Sequence, residues 1–412
     1  MLFTLRLWVI ALAALSFAYI PESTVATDLL AAQSLATLIG SIQSGSLGKY
    51  LSTRGVKQSC GIGKAIARRE YSTLSNNEKL AYTKAVKCLM ASPSKISPGL
   101  APGAKSRYDD FVATHVNQTG FIHFTGNFFH WHRYYIWAFE AALRNECGYQ
   151  GWLPYWNWAK SSKDPLNSPY FDGSPYSQGG NGIWAPHNCT RPAPEGPYCI
   201  PVVQGRGGGC VQTGPYAGIP TNISATGPSL VAPDAPIPGP FLGYQPRCIR
   251  RDISVDLSQR FGNEAHTFYI LTAPIFQGSS IGPFQAYFEG GSWTYPQGTI
   301  PGADWDIGQH GTGHFTFAGD PGGDIFNSPG DPMFWLLHAN VDRIWWIWQN
   351  QKPIERAFMI NGTRTILNTP PSDNATIEDL LVLDYVTPKG APASAIKHHV
   401  SSMAGPYCYL YL

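Results

Sequence analysis

Residues 328–345 read SPGDPMFWLLHANVDRIW, and the architecture follows from how that stretch has to fold. Asp331 can cap a helix, and Pro332 suits a first turn, where a missing N–H costs nothing. The run that follows is strongly apolar and carries one histidine, His338, so a buried helix should present an imidazole to the interior. Asp342 lies one turn further on the same face, where a carboxylate can take the second ring N–H of a metal-bound histidine. An ion pair with the neighbouring Arg343 is the competing reading. Upstream, HGTGH at 310–314 sets His310 and His314 four residues apart, on one face of a helical turn. Further upstream stand His115, His123 and His132, eight and nine residues apart. Six of the eleven histidines therefore fall into two triplets, and a pair of metal ions is expected.

Ligand type narrows the metal. Imidazole suits copper, zinc, iron and nickel, whereas di-iron and di-manganese sites draw on carboxylates set in helix repeats, and no Glu-x-x-His pair occurs in this chain. A zinc hydrolase of the HExxH kind needs a glutamate after its first histidine as general base. Here Gly311 stands in that place. All-histidine sites without a carboxylate ligand point to copper redox chemistry on dioxygen rather than to hydrolysis.

Helical patterns flank one irregular middle. Ser75 opens a capping box, so a helix is predicted from about Asn76 to Met90. A second should run from Arg107 to Thr114 and deliver His115. A third should run from Trp131 to Cys147 with His132, Ile136, Phe139 and Leu143 on one face. From about Ser161 to Arg251 the chain turns rich in Gly, Pro, Ser and Cys, which reads as long loops stapled by disulfides rather than a linker or a second domain. Residues 378–412 look like short strands ending in YCYLYL. Because both triplets must converge, the 412 residues are expected to form one large catalytic domain over residues 19–412.

Composition agrees. Charged residues are only 14% and the net charge is +2, so no basic patch favours nucleic acid, and small molecules are the expected partners. Arg6, an apolar run from Leu7 to Ala18, and the small residues Ser16 and Ala18 have the parts of a secretory signal over residues 1–18. That run is too short for an ordinary membrane span, and no membrane association is expected. Eight cysteines suit an oxidising compartment, with up to four disulfides. Sequons at Asn117, Asn188, Asn222, Asn361 and Asn374 agree with a secreted glycoprotein. The one at Asn117 implies a surface loop between His115 and His123.

Three stretches carry a family resemblance: FFHWHRYYIWAFE at 128–140, PYWNW at 154–158 and the opening segment around His338. They resemble the signatures of the tyrosinase and catechol oxidase family, over roughly residues 55–412. With CLM near Cys88 and the short spacing of the first triplet, the chain looks most like secreted short fungal catechol oxidases. The resemblance implies a mainly α fold, a central helical bundle holding a dicopper site, long disulfide-stapled loops and a few short strands. It matches His115, His123 and His132 to copper A, and His310, His314 and His338 to copper B, with dioxygen as co-substrate and a small phenol as substrate. Gly311, Asp342 and Ile325 complete the expected catalytic set. Cys60 is expected to pair with Cys88.

Departures from the wider family matter too. Phe121 stands where many members have a cysteine bonded to the second copper A histidine, so no thioether forms. His130, in place of a common proline, is read as a non-ligand. Leu337 replaces a histidine, and Gly311 an asparagine that in relatives helps a carboxylate hold a water near the first copper B ligand; Glu289, Asp304 and Asp306 are candidates for that carboxylate. Tyr407, Cys408 and Tyr409 resemble the Tyr-x-Tyr element that ends the core of longer relatives, and no shielding domain is expected beyond it. The implied activity is oxidation of o-diphenols to o-quinones, with weak monophenol hydroxylation. Full tyrosinase activity, an oxygen carrier of hemocyanin type and a metal-free structural glycoprotein are the alternatives.

Overall fold

A computed structural model describes residues 21–186, 205–227, 239–294, 307–387 and 394–412. The expected signal at 1–18, Cys189, Cys199, the Asn188 sequon, Asp304 and Asp306 lie outside them. The protein is mainly helical. Its helices are α1 (Val25–Gln43), α2 (Ser46–Ser52), α3 (Asn76–Ala91), α4 (Arg107–Ile122), α5 (Phe128–Cys147), α6 (Trp158–Ser161), α7 (Val255–Phe261), α8 (Glu264–Thr272), α9 (Gly282–Thr294), α10 (Gly308–Thr316) and α11 (Met333–Gln351). The strands, β1 (Ile66–Arg68), β2 (Gly182–Trp184), β3 (Gly208–Val211), β4 (Pro220–Ile223), β5 (Tyr244–Cys248), β6 (Leu380–Leu381), β7 (Ser394–Ala395) and β8 (Tyr409–Tyr411), make two-stranded pairs only.

α11 is the axis. Every residue from Met333 to Asn350 is buried, as expected of a helix apolar nearly all round. α5, α10, α1 and α8 pack against it. The fit of α10 depends on Gly313, where an added Cβ would lie 2.9 Å from Leu337 Cδ1. Leu337 thus fills helix–helix space. α1 is apolar and long enough to cross a bilayer by length and composition; here one face lies on α11, where its Asp28 pairs with Arg343 at 3.1 Å.

The predicted α3 forms with its capping box between Ser75 and Glu78. α5 ends at Gly148, whose left-handed φ of 67° closes the helix through its N–H to Leu143. α4 corrects the sequence reading. It starts with a Ser106–Asp109 capping box but continues past Thr114 to Ile122, so no loop separates His115 from Asn117. The cause is a buried stripe that continues through Val116, Thr119 and Ile122, with the Thr119 hydroxyl bonded back to the His115 carbonyl at 2.7 Å. Asn117 is exposed on a helix, not a loop.

The disulfide expectation is also corrected. Cys88, at the end of α3, joins Cys147, at the end of α5, with Cα atoms 5.9 Å apart. Cys60 joins Cys408 instead, because β1 pairs in parallel with β8 and brings the two together. A third bridge, Cys210–Cys248, staples the irregular middle. That segment carries the antiparallel pairs β2–β3 and β4–β5. Two ion pairs fix it to the α10–α11 connection: the buried Arg251 with Asp331 at 2.6 Å and the part-buried Arg247 with Asp320 at 2.5 Å.

Candidate metal centre

Four helices and one cap supply the six imidazoles. His115 lies within α4 and His123 at its C-cap, His132 in α5, His310 and His314 in α10, and His338 in α11. Within each triplet the potential ligand atoms lie within 4.8 Å of one another. The triplets adjoin: the His132 and His338 rings stack at 4.4 Å, and those of His123 and His310 are 6.1 Å apart.

Backbone carbonyls orient the rings. Nδ1 of His115 donates to Phe326 O at 2.8 Å, His123 to Thr119 O at 3.1 Å, His132 to Phe128 O at 2.9 Å and His314 to Gly322 O at 3.2 Å. A proton held on Nδ1 leaves the Nε2 lone pair free to face inward. Nε2 of His115 and of His132 is buried without a protein partner. Nε2 of His314 lies 3.1 Å from that of His310 and 3.3 Å from that of His338. Converging lone pairs of this kind call for a cation. Burial holds all six rings below the usual imidazole range, His123 at about 3 and His314 at about 4. They stay neutral, as metal ligands must. The two histidine triads fit a type-3 dicopper centre, one ion to each triad.

The six rings are not equally enclosed. His310 and His314 are 7% and 8% exposed, while the other four are at most 2% exposed. Phe334 closes the interior side, 4.1 Å from the His338 ring, and Phe128 lies 4.9 Å from His310.

The remaining sequence candidates sort clearly. Gly311 is buried in α10, where an added Cβ would meet Ile307 Cβ at 3.3 Å, a tight contact that Ile307 must yield to by a few tenths of an ångström. Ile325 is 36% exposed, in the loop between α10 and α11 and next to the carbonyl that holds His115. Asp342 does not reach an imidazole. Its carboxylate accepts from Arg133 at 2.7 Å, Tyr409 at 2.5 Å, Tyr411 at 2.6 Å and Arg68 at 3.5 Å. Sequence proximity misled both readings, since Arg343 points to α1 and His338 Nδ1 has no hydrogen-bond partner. Two buried arginines claim the carboxylate. His130 sits outside the triads, its ring against Trp345 at 4.8 Å. Phe121 is exposed.

Glu289 is the candidate carboxylate within the described residues. It accepts from Phe124 N at 2.6 Å, next to His123, and from Gln285 Nε2 at 2.9 Å. Burial raises its pKa to about 8. The orienting carbonyls of Gly322 and Phe326 were invisible in the sequence, because any residue type can supply a backbone oxygen.

Comparison with known proteins agrees with this geometry. Residues 105–351 match the common central domain of tyrosinase. N-acetyl-6-hydroxytryptophan oxidase of Emericella nidulans is 36% identical over 86% of this chain and 94% of its own. Tyrosinase P of Aspergillus terreus is 36% identical over 84% of this chain and 91% of its own. A polyphenol oxidase from Thermothelomyces thermophila, solved as a glycine-to-asparagine mutant, superposes with a TM-score of 0.81 at 38% identity, covering 95% of this chain and 98% of that one. With two histidine triads in place and the central domain matched across both, the chain belongs to the tyrosinase family and is a copper oxidase acting on phenols.

Proposed function

We propose that this enzyme oxidises o-diphenols to o-quinones, with monophenol hydroxylation slow. His115, His123 and His132 hold copper A; His310, His314 and His338 hold copper B. When bound, the two coppers carry electrons from the phenol to dioxygen. Two diphenols and one dioxygen then yield two quinones and two waters. The chain's part is to hold six neutral imidazoles, exclude water from the closed side and admit the phenol past His310 and His314.

Gly311 carries the preference for diphenols. A monophenol has a pKa of about 10 and must lose its proton before it can bind as an anion. Gly311 offers no side chain to position a water for that task. Glu289, its pKa raised to about 8 by burial, has its two oxygens engaged by Phe124 N and Gln285 Nε2 rather than free to position a water. A diphenol passes its protons on as it is oxidised and depends less on such a water. The second reading, efficient monophenol turnover, draws on the relative named for N-acetyl-6-hydroxytryptophan, a ring bearing a single hydroxyl.

Initial rates with tyramine and dopamine separate the two. Rapid dopamine turnover, slow tyramine turnover after a lag, and a gain on tyramine in Gly311→Asn are expected. Equal turnover of both by the unaltered enzyme overturns the diphenol reading.

We also place the chain in the secretory pathway, supported by its N-terminal apolar run and its disulfides. Asn361 and Asn374 are exposed acceptors outside the helices and suit glycans, whereas Asn117, also exposed, lies within α4 with its amide donating to Asp384 at 2.8 Å. Asn222 is half-buried and its amide serves Asp109 at 2.9 Å, so it suits one poorly.

A further inference from the structure

Two of the carbonyls that orient the histidines come from one short stretch between α10 and α11. Gly322 O receives His314, of the copper B triad, and Phe326 O receives His115, of the copper A triad. Midway between them stands Asp324, 1% exposed. Its Oδ1 accepts from Phe326 N at 2.8 Å and Asn327 N at 3.4 Å. Oδ2 accepts from Thr226 N at 3.0 Å, Gly227 N at 3.1 Å and Asn327 Nδ2 at 3.1 Å. These donors are backbone N–H groups and one side-chain amide, so the carboxylate shapes chain conformation.

The approach of residues 226–227 is equally specific. An added Cβ at Gly227 would lie 2.8 Å from Asp324 Oδ1. Asn327 closes the arrangement, donating to Ser224 O at 3.0 Å and Thr226 Oγ1 at 3.1 Å. The irregular middle of the chain is thereby tied to the turn whose carbonyls face the metal centre.

We propose that Asp324 is a positioning residue for the dicopper centre: by fixing the 321–328 turn against residues 224–227, it holds the Phe326 carbonyl on His115 and so sets the geometry of copper A. The inference rests on the copper assignment above. Copper A should depend on it more than copper B, because Phe326 N is bonded directly to the carboxylate while Gly322 is not. In Asp324→Asn, one acceptor oxygen becomes an amide that faces N–H groups, and the turn must move.

The test uses single-copper backgrounds of the full chain, His310→Ala to isolate copper A and His132→Ala to isolate copper B. Copper affinity is read by competition with a chelator, beside thermal melting of the metal-free protein. Asp324→Asn should weaken copper A by about 10- to 100-fold and copper B by no more than about 3-fold. Unchanged copper A affinity, or equal loss at both sites with a lowered melting point, overturns the proposal. If Asp324→Asn does not fold, Asp324→Glu, which keeps the charge but displaces the oxygens, carries the same expectation at reduced size, and an unaltered copper A site overturns it as well. If the parent backgrounds hold no copper, the ligand assignment itself falls, and this inference falls with it.

Discussion

Replacing Asp342 by asparagine should unfold the protein more easily without loosening its copper. The carboxylate lies one turn beyond His338, yet its partners are Arg133, Arg68, Tyr409 and Tyr411. When the charge at 342 is removed, Arg68 keeps Glu140 at 3.1 Å and Arg133 keeps the Gln349 amide at 3.1 Å, so each retains a hydrogen bond, but only Arg68 retains a counter-charge. Both are fully buried, and breaking a buried ion pair from one side costs about 3–5 kcal/mol. With an unfolding entropy of about 2.1 cal/mol/K per residue, that loss corresponds to about 3–6 °C in the melting midpoint of a chain this long. Tyr409→Phe and Tyr411→Phe each remove one hydroxyl donor to a charged acceptor and should cost about 1.5–3 kcal/mol. The assay pairs thermal unfolding of the metal-free protein with copper affinity by equilibrium dialysis against a chelator. A midpoint that stays put while copper affinity falls by tenfold or more would refute the structural reading and return Asp342 to the metal centre.

Two further outcomes are expected. Cys88→Ser combined with Cys147→Ser opens a loop spanning 59 residues and should lower stability by about 4 kcal/mol on the chain-entropy estimate; an unmoved denaturation midpoint would speak against that bridge. Glu289 has its folded pKa raised from 4.5 to about 8 by burial. Its contribution to stability is therefore fully present below pH 4.5 and is lost as pH rises through 8, by on the order of 5 kcal/mol. Chemical denaturation of metal-free enzyme at pH 5 and pH 9 should show this decline, and Glu289→Gln should flatten it. An identical slope in the variant would show that Glu289 is ionised in the fold.

Much of the metal centre was legible because its parts are periodic or locally capped. The i, i+4 pair in HGTGH, the apolar run around His338 and the face of His132, Ile136, Phe139 and Leu143 all appear on the helices predicted for them. Failures came where the deciding contact is distant in sequence. Asp342 is claimed by Arg68 and Arg133, 274 and 209 positions away, while spacing on a helix argued only for His338 and Arg343. Cys60 finds Cys408 across 348 positions through the parallel pairing of β1 with β8, two strands of three residues each. α4 outran its predicted end because the stripe through Val116, Thr119 and Ile122 outweighed the polar residues at 117–118. Asp324 escaped notice for a different reason: its function is exercised through backbone groups, which leave no mark in residue type.

Copper stoichiometry tests the central claim most directly. Metal analysis of the purified enzyme should find two coppers per chain, falling to one in His132→Ala and to one in His338→Ala, with oxidase activity abolished in both. Removing one of three imidazoles leaves a weaker, open site. Two tightly held coppers or full oxidase activity in either variant, or a purified enzyme that binds no copper, would contradict the dicopper assignment.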